Sequence, residues 1–198
     1  MSYKSYFLRD IEFIVSNMLN EFKKGEWIME NNILAKDYMR YPSKSDMPVF
    51  QKYFRKVQST KFMPLAFIYK VLFRITKELR HIEIPRSTKI GEGLYIGHAY
   101  NITINPKAVL GKNINIHRGV LIGQTNRGGK QGVPNIGNDV WIGINAVLVG
   151  KINIGNDVLI APNSYVNCDV PDHSIVFGNP CIIKHRDNAT EGYVNRKV

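Results

Sequence analysis

Residues 136–166 read IGNDVWIGINAVLVGKINIGNDVLIAPNSYV, with an aliphatic side chain at every sixth position: Ile136, Ile142, Leu148, Ile154, Ile160 and Val166. Toward the N-terminus the same register holds at Ile84, Ile90, Ile96 and Ile102, slips by two to Ile104, and continues at Leu110, Ile116 and Ile122. An α-helix would return its apolar residues about every 3.6 positions, and an isolated strand at every second one. A period of six arises when a short strand and a sharp corner alternate, three to a triangular coil, and it marks a parallel β-helix. The register residue then points into the prism and stacks on its equivalents in neighbouring coils. Glycine often follows it (Gly91, Gly97, Gly111, Gly123, Gly137, Gly143, Gly155), which suits a place where the backbone turns tightly or passes another segment. Four residues after the register position a small or aliphatic side chain recurs to fill the corner: Ala108, Val120, Val140, Ala146, Val158, Ser164 and Val170. Asn-Asp at 138–139 and at 156–157 supplies turn chemistry at one phase of the repeat. A sandwich of short strands would vary in strand length and alternate inside with outside, and this stretch does neither.

Outward from the repeat, the chain divides into a helical region over 1–82, the β-helix over 83–186 and a tail over 187–198. In the first region Ile11, Ile14, Val15, Met18, Leu19 and Phe22 form one apolar helical face, ended by Gly25. A short helix is expected over 27–38, a break over 41–48, a helix over 49–57, and a longer one over 62–79 entered at Pro64. The last is apolar nearly all round, with Lys61, Lys70, Arg74, Lys77 and Arg80 interspersed. Burial against its own domain or a neighbouring subunit is the favoured use, and contact with an anionic membrane surface the other. The two-residue slip between Ile102 and Ile104 predicts a bulge at a corner. The longer gap from Ile122 to Ile136 predicts a loop over 123–135 that leaves the prism, carrying Arg127 and Lys130.

The net charge of +11 on 198 residues predicts anionic company: CoA phosphates, sugar nucleotides, acidic glycans, lipid headgroups or nucleic acid. No zinc-finger spacing or RNP sequence occurs, so nucleic acid is not expected as a partner. Cys168 and Cys181 build no disulfide framework and fit a reducing cytoplasm. No secretory signal and no membrane-spanning run are read from the sequence. The five histidines show no metal-ligand spacing, so no metal is expected.

Gly-His-Ala at 97–99, Gly-Val-Leu-Ile-Gly at 119–123, the loop, and Gly-Asn-Pro at 178–180 complete a pattern over about 82–186. With the repeat, it resembles the hexapeptide-repeat acyltransferases, in the serine acetyltransferase-like branch. Segment 114–123 is similar to the acetyltransferases of capsule and colanic-acid synthesis. The resemblance implies a left-handed β-helix, a homotrimer, and acetyl-CoA as acyl donor in the groove between adjacent prisms. It leaves open whether the N-terminal helices pair trimers into hexamers.

The family's general base falls on His98, and an imidazole, which titrates near neutrality, suits proton removal from an attacking hydroxyl. Glu83 falls where the family places the carboxylate that orients that base. The acyl-donor positions that match are Gly123, Gly143, Ala161 and Pro162, with Lys184 or Arg186 for the nucleotide phosphates; a backbone N–H near Gly123 is the expected oxyanion donor. His117 and Arg118, one coil above His98, are candidates for acceptor binding, or else stack on the surface and bind nothing.

Departures sit at the acceptor positions. Serine acetyltransferases carry Asp where this chain has Gly97, and Arg-His where it has Gly132 and Val133. A charged amino acid needs charged partners to replace its hydration. The expectation is therefore acetyl transfer to a sugar hydroxyl in capsule, exopolysaccharide or O-antigen synthesis. It would take place in the cytoplasm or at the inner face of the membrane, with peripheral membrane contact. Serine O-acetylation is the alternative, and a non-catalytic scaffold or binding module is the reading from another class.

Overall fold

The hexapeptide register is the inside of the molecule: from Ile84 to Val166 none of its residues is more than 7% exposed. The corner position four residues later is buried as well, Ser164 included. In the computed structural model the described residues are 32–198, and they fall in one unit, Asn31–Val198. The helix expected over 11–22 lies outside the described residues.

The first coil consists of β1 (Ile82–Glu83), β2 (Lys89–Ile90) and β3 (Tyr95–Gly97). The second is β4 (Ile102–Ile104), β5 (Val109–Leu110) and β6 (Asn115–His117). Then come β7 (Leu121–Gly123), β8 (Asn135–Ile136), β9 (Val140–Ile142), β10 (Val147–Val149), β11 (Asn153–Ile154), β12 (Val158–Ile160) and β13 (Tyr165–Val166). Each strand pairs in parallel with its equivalent one coil on, giving the sheets β1-β4-β7-β10-β13, β2-β5-β8-β11 and β3-β6-β9-β12-β14, where β14 is Ser174–Phe177. β15 (Ile182–His185) turns back antiparallel on β14 and ends the third sheet. The architecture is the expected left-handed parallel β-helix, of about five turns, with helices before it.

Two devices hold the corners. A Cβ on Gly91 would lie 2.5 Å from the carbonyl oxygen of Gly111, and one on Gly137 would lie 2.7 Å from that of Gly155. That column of backbone admits only glycine. Beside it, Asn138 Oδ1 accepts the Lys112 N–H at 2.8 Å, Asn156 Oδ1 the Asn138 N–H at 2.8 Å, and Asp172 Oδ1 the Asn156 N–H at 2.7 Å. Side chains thus satisfy the corner donors that strand pairing leaves over.

The slip in the register is not a bulge between Ile102 and Ile104. Both point inward from β4, at 0% and 1% exposure, as alternate strand residues do. Tyr95 pairs with Asn115, twenty residues on, whereas Thr103 pairs with Leu121, eighteen on. The first coil therefore holds two extra residues in the corner after β3, where His98 and Asn101 adopt positive φ. The loop expected over 123–135 does leave the prism between β7 and β8, pinned at its base by reciprocal 3.0 Å hydrogen bonds between Thr125 and Gly132. Lys130 ties its tip to the Asn167 carbonyl at 2.8 Å.

Before the solenoid come α1 (Asn32–Met39), a 3-10 turn (Lys44–Asp46), α2 (Val49–Ser59) and α3 (Met63–Arg80). The apolar side of α3 packs on α2: Phe73 lies 5.5 Å from Phe50 and Tyr69 lies 6.1 Å from Tyr53, centroid to centroid. Phe62, Met63, Phe67 and Val71 remain exposed on its other side, and no described helix is long and apolar enough to cross a membrane. Charge docks this region on the first coil. Buried Asp37 accepts from Arg55 Nε at 2.7 Å, Gln51 Nε2 at 3.0 Å and the Leu94 N–H at 3.0 Å. Arg55 continues to the carbonyls of Ile90 and Gly91, at 2.8 and 2.6 Å.

The tail returns along the third sheet. Asp157 accepts the N–H groups of Ala189 and Thr190 and the Thr190 hydroxyl, at 2.9, 3.0 and 2.6 Å. Arg40 donates to the Asn195 carbonyl at 2.9 Å and to Asn115 Oδ1 at 2.6 Å, so helix, coil and tail meet at one guanidinium. Burial holds that guanidinium below its ordinary range. Cys168 and Cys181 are free thiols with sulfurs 3.6 Å apart.

Candidate active site

His98 occupies the corner that carries the two extra residues, and its left-handed backbone (φ 56°) turns the side chain out of the prism. The Asn101 N–H donates to the Arg80 carbonyl at 2.9 Å, which fixes this corner to the end of α3. Between corner and helices lies a cavity of about 450 Å³, lined by His98, Gly97, His117, Tyr95, Tyr41, Asp46 and Arg80 among others. Its aromatic wall is stacked and hydrogen-bonded. The Tyr41 ring stacks on Tyr95 at 4.7 Å, and the Tyr41 hydroxyl donates to Gln51 at 2.6 Å while accepting the Ile96 N–H at 2.8 Å. Burial pushes the Tyr41 phenol well above its ordinary value.

Gly97 and His117 are partners in the β3–β6 register, and the space above Gly97 is filled by the His117 ring. That ring packs at a tilt against Trp141, with centroids 4.9 Å apart, and Trp141 meets Tyr193 of the tail edge-on at 5.1 Å. Burial, and behind it the charge of His98, lowers the His117 pKa to about 4, so this imidazole is neutral at neutral pH. Its buried Nε2 has no hydrogen-bond partner among the described residues.

The structure thus brings together His98, Gly97 and His117 of the expected residues. Arg118, next to His117, is exposed and does not line the cavity. Val133 stands in the loop after β7 and lines no wall of it within one chain. Glu83 is exposed on β1, its backbone partnered by Thr103, and makes no hydrogen bond or ion pair with His98 among the described residues. The acyl-donor candidates divide into three. A Cβ on Gly143 would lie 2.6 Å from the Pro162 nitrogen and 2.9 Å from the Ala161 carbonyl carbon, so these three form one close-stacked column. Lys184 and Arg186 line a second cavity of about 440 Å³ with Ile175 and Phe177. Gly123 is separate, at the end of β7 where the loop departs. No cluster of three or more metal-ligating side chains occurs among the described residues.

Sequence reading missed Tyr41, Asp46, Arg80, Trp141 and Tyr193. Asp46 did leave a signal: Ser43 and Asp46 form a capping box, a pattern visible in the sequence. The others were hidden because they reach the site from outside the repeat or from its outward-facing positions.

Residues 134–168 match the family model described as bacterial transferase hexapeptide (six repeats). Over 123 residues, 62% of this chain, the sequence is 34% identical to serine acetyltransferase 4 of Arabidopsis thaliana and 33% identical to serine acetyltransferase of Staphylococcus aureus. These alignments span 33% and 58% of the two relatives, so the chain matches less than two thirds of either. Among solved structures, the Neisseria gonorrhoeae serine acetyltransferase in complex with serine superposes with a TM-score of 0.62 at 29% identity, covering 77% of this chain and 67% of that one. The Brucella abortus serine acetyltransferase in complex with coenzyme A superposes with a TM-score of 0.65 at 23% identity, covering 78% and 67%, a likeness of fold.

These findings overturn the sugar-acceptor expectation, and with it the capsule resemblance and the placement in polysaccharide synthesis: the relatives and structural neighbours are serine acetyltransferases. The physical reason is that, of positions 97, 132 and 133, only Gly97 lines the cavity. Formal charge enters the cavity from the helical region instead, on Asp46 and Arg80. The membrane-face placement likewise finds no support in these relatives. Residues 134–168 carry the bacterial transferase hexapeptide repeat, and the chain is similar to serine acetyltransferases in sequence over 62% of its length and in fold over 77%.

Proposed function

We propose that this chain transfers an acetyl group from acetyl-CoA to the hydroxyl of serine, giving O-acetylserine and CoA. The observation that carries the reading is His98, set on the wall of a 450 Å³ cavity in a chain similar to serine acetyltransferases. The His98 imidazole takes the hydroxyl proton as the oxygen attacks the thioester carbonyl; the tetrahedral intermediate collapses, and the proton passes from His98 to the departing CoA sulfur. Backbone N–H dipoles beside Gly123 stabilise the oxyanion. Glu83, on the strand that pairs with the one following the His98 corner, does not touch His98 in this structure and is the carboxylate that would stabilise the imidazolium on turning toward it. His117 hydrogen-bonds the acceptor through a neutral ring. Arg118 and Val133 border the acceptor only where a neighbouring prism completes the site.

The acyl donor lies along the column of Gly143, Ala161 and Pro162, whose backbones stack closely from coil to coil. Lys184 and Arg186 meet the nucleotide phosphates at the second cavity. The groove for such a donor is formed between prisms, so the working unit is a homotrimer.

CoA-thiol release measured with acetyl-CoA and L-serine tests the reading. Serine-dependent release that drops at least a hundredfold in His98→Ala is expected from loss of a general base. No serine-dependent release, or full activity in His98→Ala, overturns it.

A further inference from the structure

We infer that Asp46 and Arg80 form the acceptor clamp of this site: Arg80 takes the carboxylate and Asp46 the ammonium of an amino-acid acceptor whose hydroxyl lies at His98. The inference rests on the function proposed above and deepens it, assigning recognition to two residues outside the β-helix.

Both residues line the cavity that holds His98. Its other titratable side chains are the two histidines and two tyrosines, and burial holds His117 neutral at working pH. Aside from His98 itself, the formal charges on its walls are therefore one carboxylate and one guanidinium. Neither is neutralised: no salt bridge to Asp46 or Arg80 is formed among the described residues. Charged side chains left unpaired on the walls of a cavity are suited to an occupant of opposite sign, and two of opposite sign are suited to a zwitterion.

Asp46 is held through its side chain and Arg80 through its backbone, and both residues are otherwise exposed. Asp46 closes a capping box, accepting the Ser43 N–H at 3.1 Å, which leaves its second carboxylate oxygen available. Arg80 ends α3, and its carbonyl accepts the Asn101 N–H of the His98 corner at 2.9 Å, so clamp and base share one anchorage. On the solenoid side, Gly97 brings no charge, and the space its side chain would use is taken by the neutral His117 ring. The charge that an amino-acid acceptor requires is thus supplied by the helices rather than by the coils.

The test compares L-serine with two acceptors that each lack one charge: ethanolamine, without the carboxylate, and 3-hydroxypropanoate, without the ammonium. Arg80→Met is expected to raise the KM for serine about ten- to hundredfold, the loss typical of a charge-assisted hydrogen bond. It should leave kcat, the KM for acetyl-CoA and the KM for ethanolamine within about threefold, inside the scatter of such effects. Asp46→Asn is expected to do the same for serine while sparing 3-hydroxypropanoate. Serine-induced thermal stabilisation, present in the wild type and lost in both variants, reads the clamp without turnover. Wild-type turnover on serine with unchanged KM in both variants overturns the clamp and leaves the reaction standing. Wild-type stabilisation by serine without turnover, lost in the variants, keeps the clamp and overturns the reaction. Neither stabilisation nor turnover overturns both.

Discussion

The His117 imidazole occupies the space of a side chain at Gly97: a Cβ there would lie 2.6 Å from both Cε1 and Nδ1 of the ring. The two residues face each other across one rung of the β3–β6 ladder, so the absence of a side chain at one is the seat of the other. Gly97→Ala is expected to destabilise the fold by about 1–3 kcal/mol, the usual cost of overpacking. His117→Ala in the same chain should restore most of that loss, because the clash has a single partner. Denaturant unfolding of the two single variants and the double variant checks this. Independent, additive effects would show that the ring does not seat on Gly97.

His117 also gives stability a pH dependence of known sign. Its folded pKa of about 4 lies below the ordinary histidine value of 6.5, mainly through burial. The unfolded chain therefore binds this proton first as pH falls. The contribution is complete above pH 6.5 and is lost progressively down to about pH 4. With partial exposure discounted, about 1–2 kcal/mol is expected. Unfolding free energies between pH 7 and pH 4 should fall more steeply in the wild type than in His117→Asn. Parallel curves would contradict the assignment.

Asp157 is the latch of the C-terminal tail. Partial burial pushes its carboxyl up, but hydrogen bonds from Thr190, His173 and the Ala189 and Thr190 backbone outweigh this and hold it at about 2. A depressed carboxylate contributes its stability above about pH 3.8 and loses it as pH falls through about 2. At neutral pH, Asp157→Asn removes the charge and should weaken the latch by about 1–3 kcal/mol. Tyr193 then leaves Trp141, so a change in tryptophan fluorescence should accompany faster tryptic cleavage at Arg186. Wild-type cleavage rates in the variant would count against the latch.

The Asp37–Arg55 pair docks the helices on the first coil at 2.7 Å, with side chains at 0% and 2% exposure. Replacing one partner leaves a buried charge uncompensated, so Arg55→Met is expected to cost about 3–5 kcal/mol. Because this network positions the helical wall of the cavity, serine-dependent CoA release should fall in a protein that still unfolds cooperatively. An Arg55→Met protein of unchanged stability would show that docking rests on the apolar contacts of α2 and α3 alone.

The register residues from Ile84 to Val166 were legible as core because a repeat of six places each on the same inward column, and every one is buried. The slip was legible as an irregularity, but its position was not. Ile102 and Ile104 both fit an inward strand position, so the sequence could not show that the extra residues lie at the His98 corner. Polar residues at helical spacing read as a solvated face, which concealed Asp37 and Arg55 in a buried network.

The sequence by itself determined the β-helix, the excursion before Ile136 and the candidacy of His98, since each rests on local period or on motif. Only the tertiary structure decided what surrounds His98. Asp46 and Arg80 reach it from helices earlier in the chain, His117 from one coil above, and the tail from the far end by way of Trp141 and Tyr193. The repeat carries no record of these meetings: its period governs which side chains point inward, and the site is assembled from those that point out.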